Sequence, residues 1–330
     1  MSEAFRHVDR ARTIVFGAGA LEDAADLLGD GYTLLTTRRA AAAAPGLAER
    51  AGAVVHVPAG MVDVVAEDLR SALPGGDLVA LGGGRVIDVA KALAAADAPR
   101  EVAAVPTSLS GAEMTGVHRH ARGVAGTTPK VRPSLVVNDP GLSASQPDDQ
   151  LAASSANALG HAITALLSPR SSAVARAVAG DAVITLANGW KGEAPDRPMV
   201  ALGALLAGWA VDYSGLGPHH ALAQTVVRMT SMDHAQVNAV LLPLTVTAMR
   251  TRAPAAFSRL DHALGHPVDV LADELRRRAG LVTVSVPAAD PALLDRLASA
   301  AVERAELKLL TPALAYDEVL AILGAAGLRN

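Results

Sequence analysis

The hydrophobic periodicity of this 330-residue chain changes character part-way along, and that change constrains the fold more than any other feature. In the N-terminal part, short runs are apolar at almost every position: Thr13-Ile14-Val15-Phe16, Thr33-Leu34-Leu35-Thr36, Val54-Val55-His56-Val57, Leu78-Val79-Ala80-Leu81 and Val102-Ala103-Ala104-Val105. A strand with one wet face alternates apolar and polar residues. A strand covered by helices on both faces does not, so these runs read as parallel strands. Between them, residues 20–28, 62–73 and 86–95 place apolar side chains at helical spacing, which completes a βαβ rhythm. A further strand, Ser134-Leu135-Val136-Val137, runs into Asn138-Asp139-Pro140-Gly141, a strong turn signal.

Beyond Pro147 the period becomes 3.6, with Ala/Leu/Val-rich helices predicted over 148–167, 173–190, 198–214, 235–251, 268–279, 291–306 and 316–323. The expected fold is α/β plus all-α. A Rossmann-like parallel-sheet domain occupies 1–147, and a helical domain occupies 148–330.

Composition narrows the function classes. Hydrophobic residues at 51% against 19% charged describe a chain that packs a core rather than a disordered one. A net charge of −4 with 2% aromatics supplies neither the basic surface nor the stacking groups of a nucleic-acid binder. The absence of cysteine excludes disulfides, thiolate nucleophiles, zinc ribbons and iron–sulfur clusters, so any metal needs His, carboxylate or amide ligands. Residues 1–12 are charged and carry no apolar signal core, and the longest apolar runs, 202–211 and 237–244, fall short of the roughly 18–20 residues of a bilayer span. A cytoplasmic location, with no membrane partner, is the expectation.

Two constellations carry chemistry. Leu81 is followed by Gly82-Gly83-Gly84-Arg85 at the expected start of a helix, where glycines permit positive φ and let a diphosphate reach backbone N–H groups. The next strand leads into Val105-Pro106-Thr107-Ser108-Leu109-Ser110-Gly111-Ala112-Glu113, rich in hydroxyls. In the helical half, Asn157 and His161 lie four residues apart on one helix face, followed by His219-His220 and His234. His118, His120, Lys130 and Arg132 form a basic run beyond the hydroxyl loop, expected as a cationic edge for substrate carboxylates. Asp88 and Lys91 are expected on a helix surface and Glu113 as a structural cap.

These segments resemble the iron-containing alcohol dehydrogenase superfamily, whose signatures are Gly-Gly-Gly-Ser-x-x-Asp-x-x-Lys and Pro-Thr-Thr-x-x-x-Gly-Ser-Glu. Within it, the sequence is similar to the maleylacetate reductase branch. The resemblance implies the dehydroquinate synthase-like architecture, a site between the two domains, a homodimer, and NAD(P)H as cofactor. It implies that Gly82, Gly83, Gly84 and Arg85 hold the diphosphate, with Thr107, Ser108 and Ser110 lining the adenine and nicotinamide sides. Thr36 and Arg38 stand where NAD-selective enzymes often place an acidic residue, and so tolerate a ribose 2′-phosphate.

The metal-dependent members carry an Asp and three His at the positions matching Asn157, His161, His220 and His234. The change to Asn removes a charge, so a metal-free site is expected; if a metal binds, His161, His220 and His234 are its ligands. His220 and His161, as donors and imidazolium, are then expected to stabilise the oxyanion of hydride transfer, with His219 mattering less. Arg85 replaces the family serine, Gln224 a family histidine, and Leu244 the His of Leu-Pro-His. Gln224 is grouped with the substrate residues. These departures keep a second reading open, a non-redox lyase, isomerase or cyclase on the same scaffold.

Overall fold

A computed structural model of the chain describes residues 5–9, 12–230, 232–283 and 292–328. Its first part holds a seven-stranded sheet ordered β1-β2-β7-β6-β5-β3-β4. The strands are β1 (Phe5–Asp9), β2 (Arg12–Phe16), β3 (Thr33–Thr36), β4 (Ala53–His56), β5 (Leu78–Gly82), β6 (Val102–Pro106) and β7 (Leu135–Asn138). From β2 to β4 every neighbouring pair is parallel, and β1 adds one antiparallel edge. The sequence shows no apolar run for β1, and the first four residues of the chain, part of the charged N-terminal segment, lie outside the described residues.

The unbroken apolar runs divide between two layers. Leu35, Leu78, Ala80, Val102 and Ala104 pack on one face of the sheet with Val86, Ile87, Val89, Ala90 and Leu93. Leu34, Val79, Leu81, Val105 and Val137 pack on the other with Ala20, Ala40 and Leu47. Successive residues of one strand thus serve opposite cores, and no position can be polar without cost. The covering helices are α1 (Ala20–Asp23), α2 (Ala25–Leu28), α3 (Arg38–Ala43), α4 (Pro45–Arg50), α5 (Val62–Arg70), α6 (Gly84–Ala96) and α7 (Pro140–Ser143). The single helix predicted over 20–28 is split at Ala24 into two one-turn pieces. The alanine-rich α3 and α4 carry too little apolar contrast to be read from periodicity.

After Pro147 the described residues contain helices and no strand: α8 (Asp148–Leu167), α9 (Ala173–Gly189), α10 (Arg197–Ser214), α11 (Pro218–Thr230), α12 (His234–Arg250), α13 (Pro254–Leu264), α14 (Val268–Arg278), α15 (Leu293–Val302) and α16 (Tyr316–Ala325). The helix predicted over 291–306 is shorter than its periodicity suggests, and Pro291 lies outside the described residues. Fourteen of the twenty residues of α8 are buried, so its faces share no polar stripe. Such a helix runs through the middle of a helical layer. By Cα proximity the chain divides into two compact units, Met1–Gln146 with Arg197–Leu202, and Pro147–Asp196 with Gly203–Asn330. Within the first unit the Arg197 guanidinium donates to Ala144 O and, at 2.7 Å, to Gln146 O. No single helix is long and apolar enough to cross a membrane among the described residues.

Candidate active site

In the first unit the chain leaves β3 toward β4 in one direction and leaves β5 toward β6 in the other. Open α/β sheets leave a crevice at such a reversal, outside the C-terminal strand ends. Register places Thr36 beside Leu81 and Gly82 beside Pro106, so the loops after β3, β5 and β6 emerge together. Gly83 caps α6 at φ −77° with no side chain accepting from the first turn. None of Gly82, Gly83 and Gly84 has positive φ, which corrects the conformational reason given to them by sequence. They are small for contact. A Cβ on Gly82 would lie 2.7 Å from Val86, one on Gly83 3.1 Å from Ser108 Oγ, and one on Gly84 3.0 Å from Ser110 Oγ. The glycines therefore draw the Ser108–Ser110 hydroxyls onto the uncapped end of a 13-residue helix. Thr107 N donates to Gly82 O at 3.0 Å and ties the two loops.

Arg85 is exposed rather than folded into the loop, as are Arg38 and Arg39 beyond β3. Thr36 is buried and spends its hydroxyl on Thr37 O at 3.3 Å, so of that pair only Arg38 faces solvent.

The basic run does not form the cationic edge that its composition suggests. His118 is buried, its Nδ1 donating to Arg119 O at 2.9 Å and its Nε2 accepting from Val131 N at 3.0 Å. Both ring nitrogens are committed to backbone, and burial holds its pKa down at about 4, so it is a neutral clasp rather than a substrate ligand. Lys130 donates to His118 O, closing the same loop, while its side chain stays exposed with that of Arg132. The His120 ring lies edge-on to that of His118, 5.4 Å between centroids, and neither of its nitrogens has a partner. Lys91 is fully buried, not on a helix surface: Nζ donates to Ala112 O at 2.9 Å and Val117 O at 2.8 Å and lies 2.8 Å from Asp88 Oδ1. Glu113 caps no helix. It is buried in the turn beyond Ser110, and burial pushes its carboxyl up to about 7.

In the second unit, α8 and α11 bring three of the expected residues together. Asn157 and His161 face α11 one turn apart, and His220 Nε2 donates to Asn157 Oδ1 at 3.3 Å, since an amide oxygen can only accept. The rings of His161 and His220 stack, 4.2 Å between centroids and 13° between planes. Burial forces both to stay neutral: His161 is held at about 3, and His220 lies well below the ordinary value. This corrects the imidazolium expected from sequence. Nδ1 of each ring is buried without a partner. His234, by contrast, is the exposed first residue of α12, behind an Asp233 cap that accepts from Gln236 N at 3.0 Å.

His219, given little weight by sequence, is wholly buried beside this pair. Its Nδ1 meets Thr245 Oγ1 at 2.9 Å, and its ring stands edge-on to that of His220, 5.0 Å between centroids. Gly160 makes room for it: a Cβ there would lie 2.6 Å from His219 Cδ2 and 3.2 Å from His220 Cε1. The adjacency of two histidines behind Gly217-Pro218 was the available signal, and helical geometry alone assigned the two to different directions. Gln224 Oε1 accepts from Arg304 Nη2 at 2.9 Å, and Arg304 is also paired with Glu306, so this amide oxygen is already committed within the helical unit.

Residues 151–326 match the C-terminal domain of the Fe-containing alcohol dehydrogenase family, more than half of the chain. The chain belongs to the iron-containing alcohol dehydrogenase family. It is thereby an oxidoreductase. Among its relatives, maleylacetate reductase 2 of Cupriavidus pinatubonensis is 34% identical over 225 residues, 66% of this chain and 62% of that protein's length. Maleylacetate reductase of Sphingobium indicum is 32% identical over 76% of this chain and 77% of its own. The fold is that of the iron-containing alcohol dehydrogenase of Corynebacterium glutamicum, with a TM-score of 0.82 at 23% identity over 99% of this chain and 97% of that one.

The family's name implies iron, and the side chains of this member do not fit it. Imidazole lone pairs lie in the ring plane, and two planes 13° apart and stacked do not converge on one ion about 2.1 Å from each nitrogen. Asn157 brings no charge, and no group of three or more His, Cys, Asp or Glu is placed to hold a metal among the described residues. A dinucleotide does fit the first unit: an uncapped helix N-terminus, backed by two hydroxyls at a strand-order reversal, offers what a diphosphate binds.

Proposed function

We propose that the protein is a NAD(P)H-dependent reductase of the maleylacetate reductase type, acting without a metal on a small carboxylated, unsaturated or keto substrate. The observation that carries this reading is His220, neutral, buried, and fixed by Asn157 as the Nε2–H tautomer. Support comes also from the maleylacetate reductases among the relatives.

Gly83, Gly84, Ser108 and Ser110 are the residues that would hold the cofactor diphosphate, and Arg38 leaves space and charge for a 2′-phosphate. A nicotinamide bound there supplies the hydride. The remaining work falls to the histidines. A neutral imidazole carries one N–H, and that of His220 rests on Asn157 Oδ1 until a substrate carbonyl oxygen takes over as its acceptor; the N–H then stabilises the charge that grows on that oxygen, and in a dry site it is worth more than in water. Asn157 holds the Nε2 proton on the ring, and the His161 stack keeps water from one face of His220.

The test is turnover of chelator-dialysed protein with NADH or NADPH and maleylacetate, in wild type and His220→Ala. Wild type is expected to turn over without added metal. The variant is expected to lose about 10²–10⁴-fold in kcat at unchanged cofactor Kd. Full turnover by a folded His220→Ala, or an absolute need for iron or zinc, overturns the reading.

A further inference from the structure

His220 is constrained from three sides, and only two of them are family motif positions. Asn157 holds Nε2 and His161 covers a face. The third is His219, whose ring stands at 85° to that of His220 and is itself held by Thr245 from α12. The Thr245 hydroxyl lies 3.0 Å from both Leu241 O and Leu242 O and donates its one hydrogen there. With that hydrogen spent on the α12 carbonyls, the Thr245 oxygen is free to accept from His219 Nδ1, and the bond between them fixes the plane of the His219 ring. Gly160 closes the cage from α8, because only a residue without Cβ allows the His219 edge so close to that helix.

We propose that His219, locked by Thr245, is a positioning residue that sets the ring plane and tautomer of His220. A perpendicular ring in contact blocks rotation of His220 about its Cβ–Cγ bond, and such rotation would break the Asn157 bond and turn the Nε2–H away from the position where a substrate oxygen replaces the Asn157 amide oxygen. The chain of command runs from the α12 backbone through Thr245 and His219 to His220. This inference rests on the reading of His220 as the oxyanion donor, and its test includes a measurement that does not depend on turnover.

Thr245→Val keeps shape and removes the hydroxyl; His219→Phe keeps the ring and removes the donor; Thr245→Ser restores the hydroxyl. In the unliganded protein, ¹⁵N–¹H correlation of the histidine rings is expected to show His220 as a single Nε2–H tautomer in wild type and Thr245→Ser, and as a mixture in Thr245→Val and His219→Phe. In turnover the first two variants are expected to lose about 10- to 100-fold in kcat with substrate KM and cofactor Kd little changed, as misplacement of a reacting group does, and Thr245→Ser to recover most of it. Combining Thr245→Val with His219→Phe is expected to cost no more than either alone, since both cut one chain. A His220 that stays a single tautomer in both folded variants, with kcat as in wild type, overturns the proposal. Altered tautomers in a protein that reduces no substrate would instead leave the positioning intact and overturn the reductase reading.

Discussion

At the scale of single residues, Gly160 and Gly180 separate the two reasons a helix contains glycine. Both lie inside long helices, α8 and α9, where alanine is favoured by about 1 kcal/mol. A Cβ on Gly180 meets nothing within 4 Å, whereas one on Gly160 collides with His219. Gly180→Ala is therefore expected to stabilise the protein by about 0.5–1 kcal/mol with activity unchanged. Gly160→Ala is expected to destabilise by about 1–3 kcal/mol through overpacking and to depress kcat, because the rings must move. Urea titration together with turnover checks both, and a Gly160→Ala protein as active and as stable as wild type would show that the histidine cage is loose.

At the scale of elements, α6 is pinned from within. Its N-terminal end carries the glycine loop, while about two turns further on Lys91 holds two carbonyls of the 112–117 segment and Asp88 of its own helix. A buried ammonium is retained because its three donors are all used, and removing it strands two carbonyls and a carboxylate. Lys91→Met, close in volume, is expected to cost about 3 kcal/mol and to loosen the loop carrying Ser108 and Ser110. The readout is a lower denaturation midpoint with weaker NADH binding. Unchanged stability would mean that water replaces the ammonium without loss.

At the scale of the whole molecule, the buried histidines set the acid limit of stability. His161 and His219 are held at about 3 and His118 at about 4, all by burial, with His220 also well depressed. Unfolded, each takes up a proton near pH 6.5 while the folded form stays neutral. Their contribution is thus complete above pH 6.5 and falls away as the pH drops toward 4, by about 1.4 kcal/mol per pH unit for each ring. Glu113, raised to about 7 by burial, acts in the opposite sense, losing stability as pH rises from 4.5 to 7, and Asp88, also raised by burial, acts with it, but they are two groups against four. The denaturation midpoint is expected to climb steeply from pH 4.5 to 6.5 and then level. A flat profile across that range would mean that the rings are charged in the folded protein.

The strands, the long helices and the glycine loop were legible in the sequence, because uniform burial of a parallel strand and 3.6-residue periodicity are imprinted on neighbouring residues of one segment. Asn157, His161 and His220 were legible too, through motif spacing. What spacing could not give was the charge state of the histidines, which depends on how much protein surrounds them, or the roles of His118, Lys91 and His219, which depend on partners far along the chain. Val131 reaches His118, Ala112 reaches Lys91, and Thr245 reaches His219 across 13, 21 and 26 residues. Local pattern determines which segments become strands and helices. Desolvation and long-range hydrogen bonds, which exist only once those segments pack, decide which of their polar side chains are chemistry and which are scaffold.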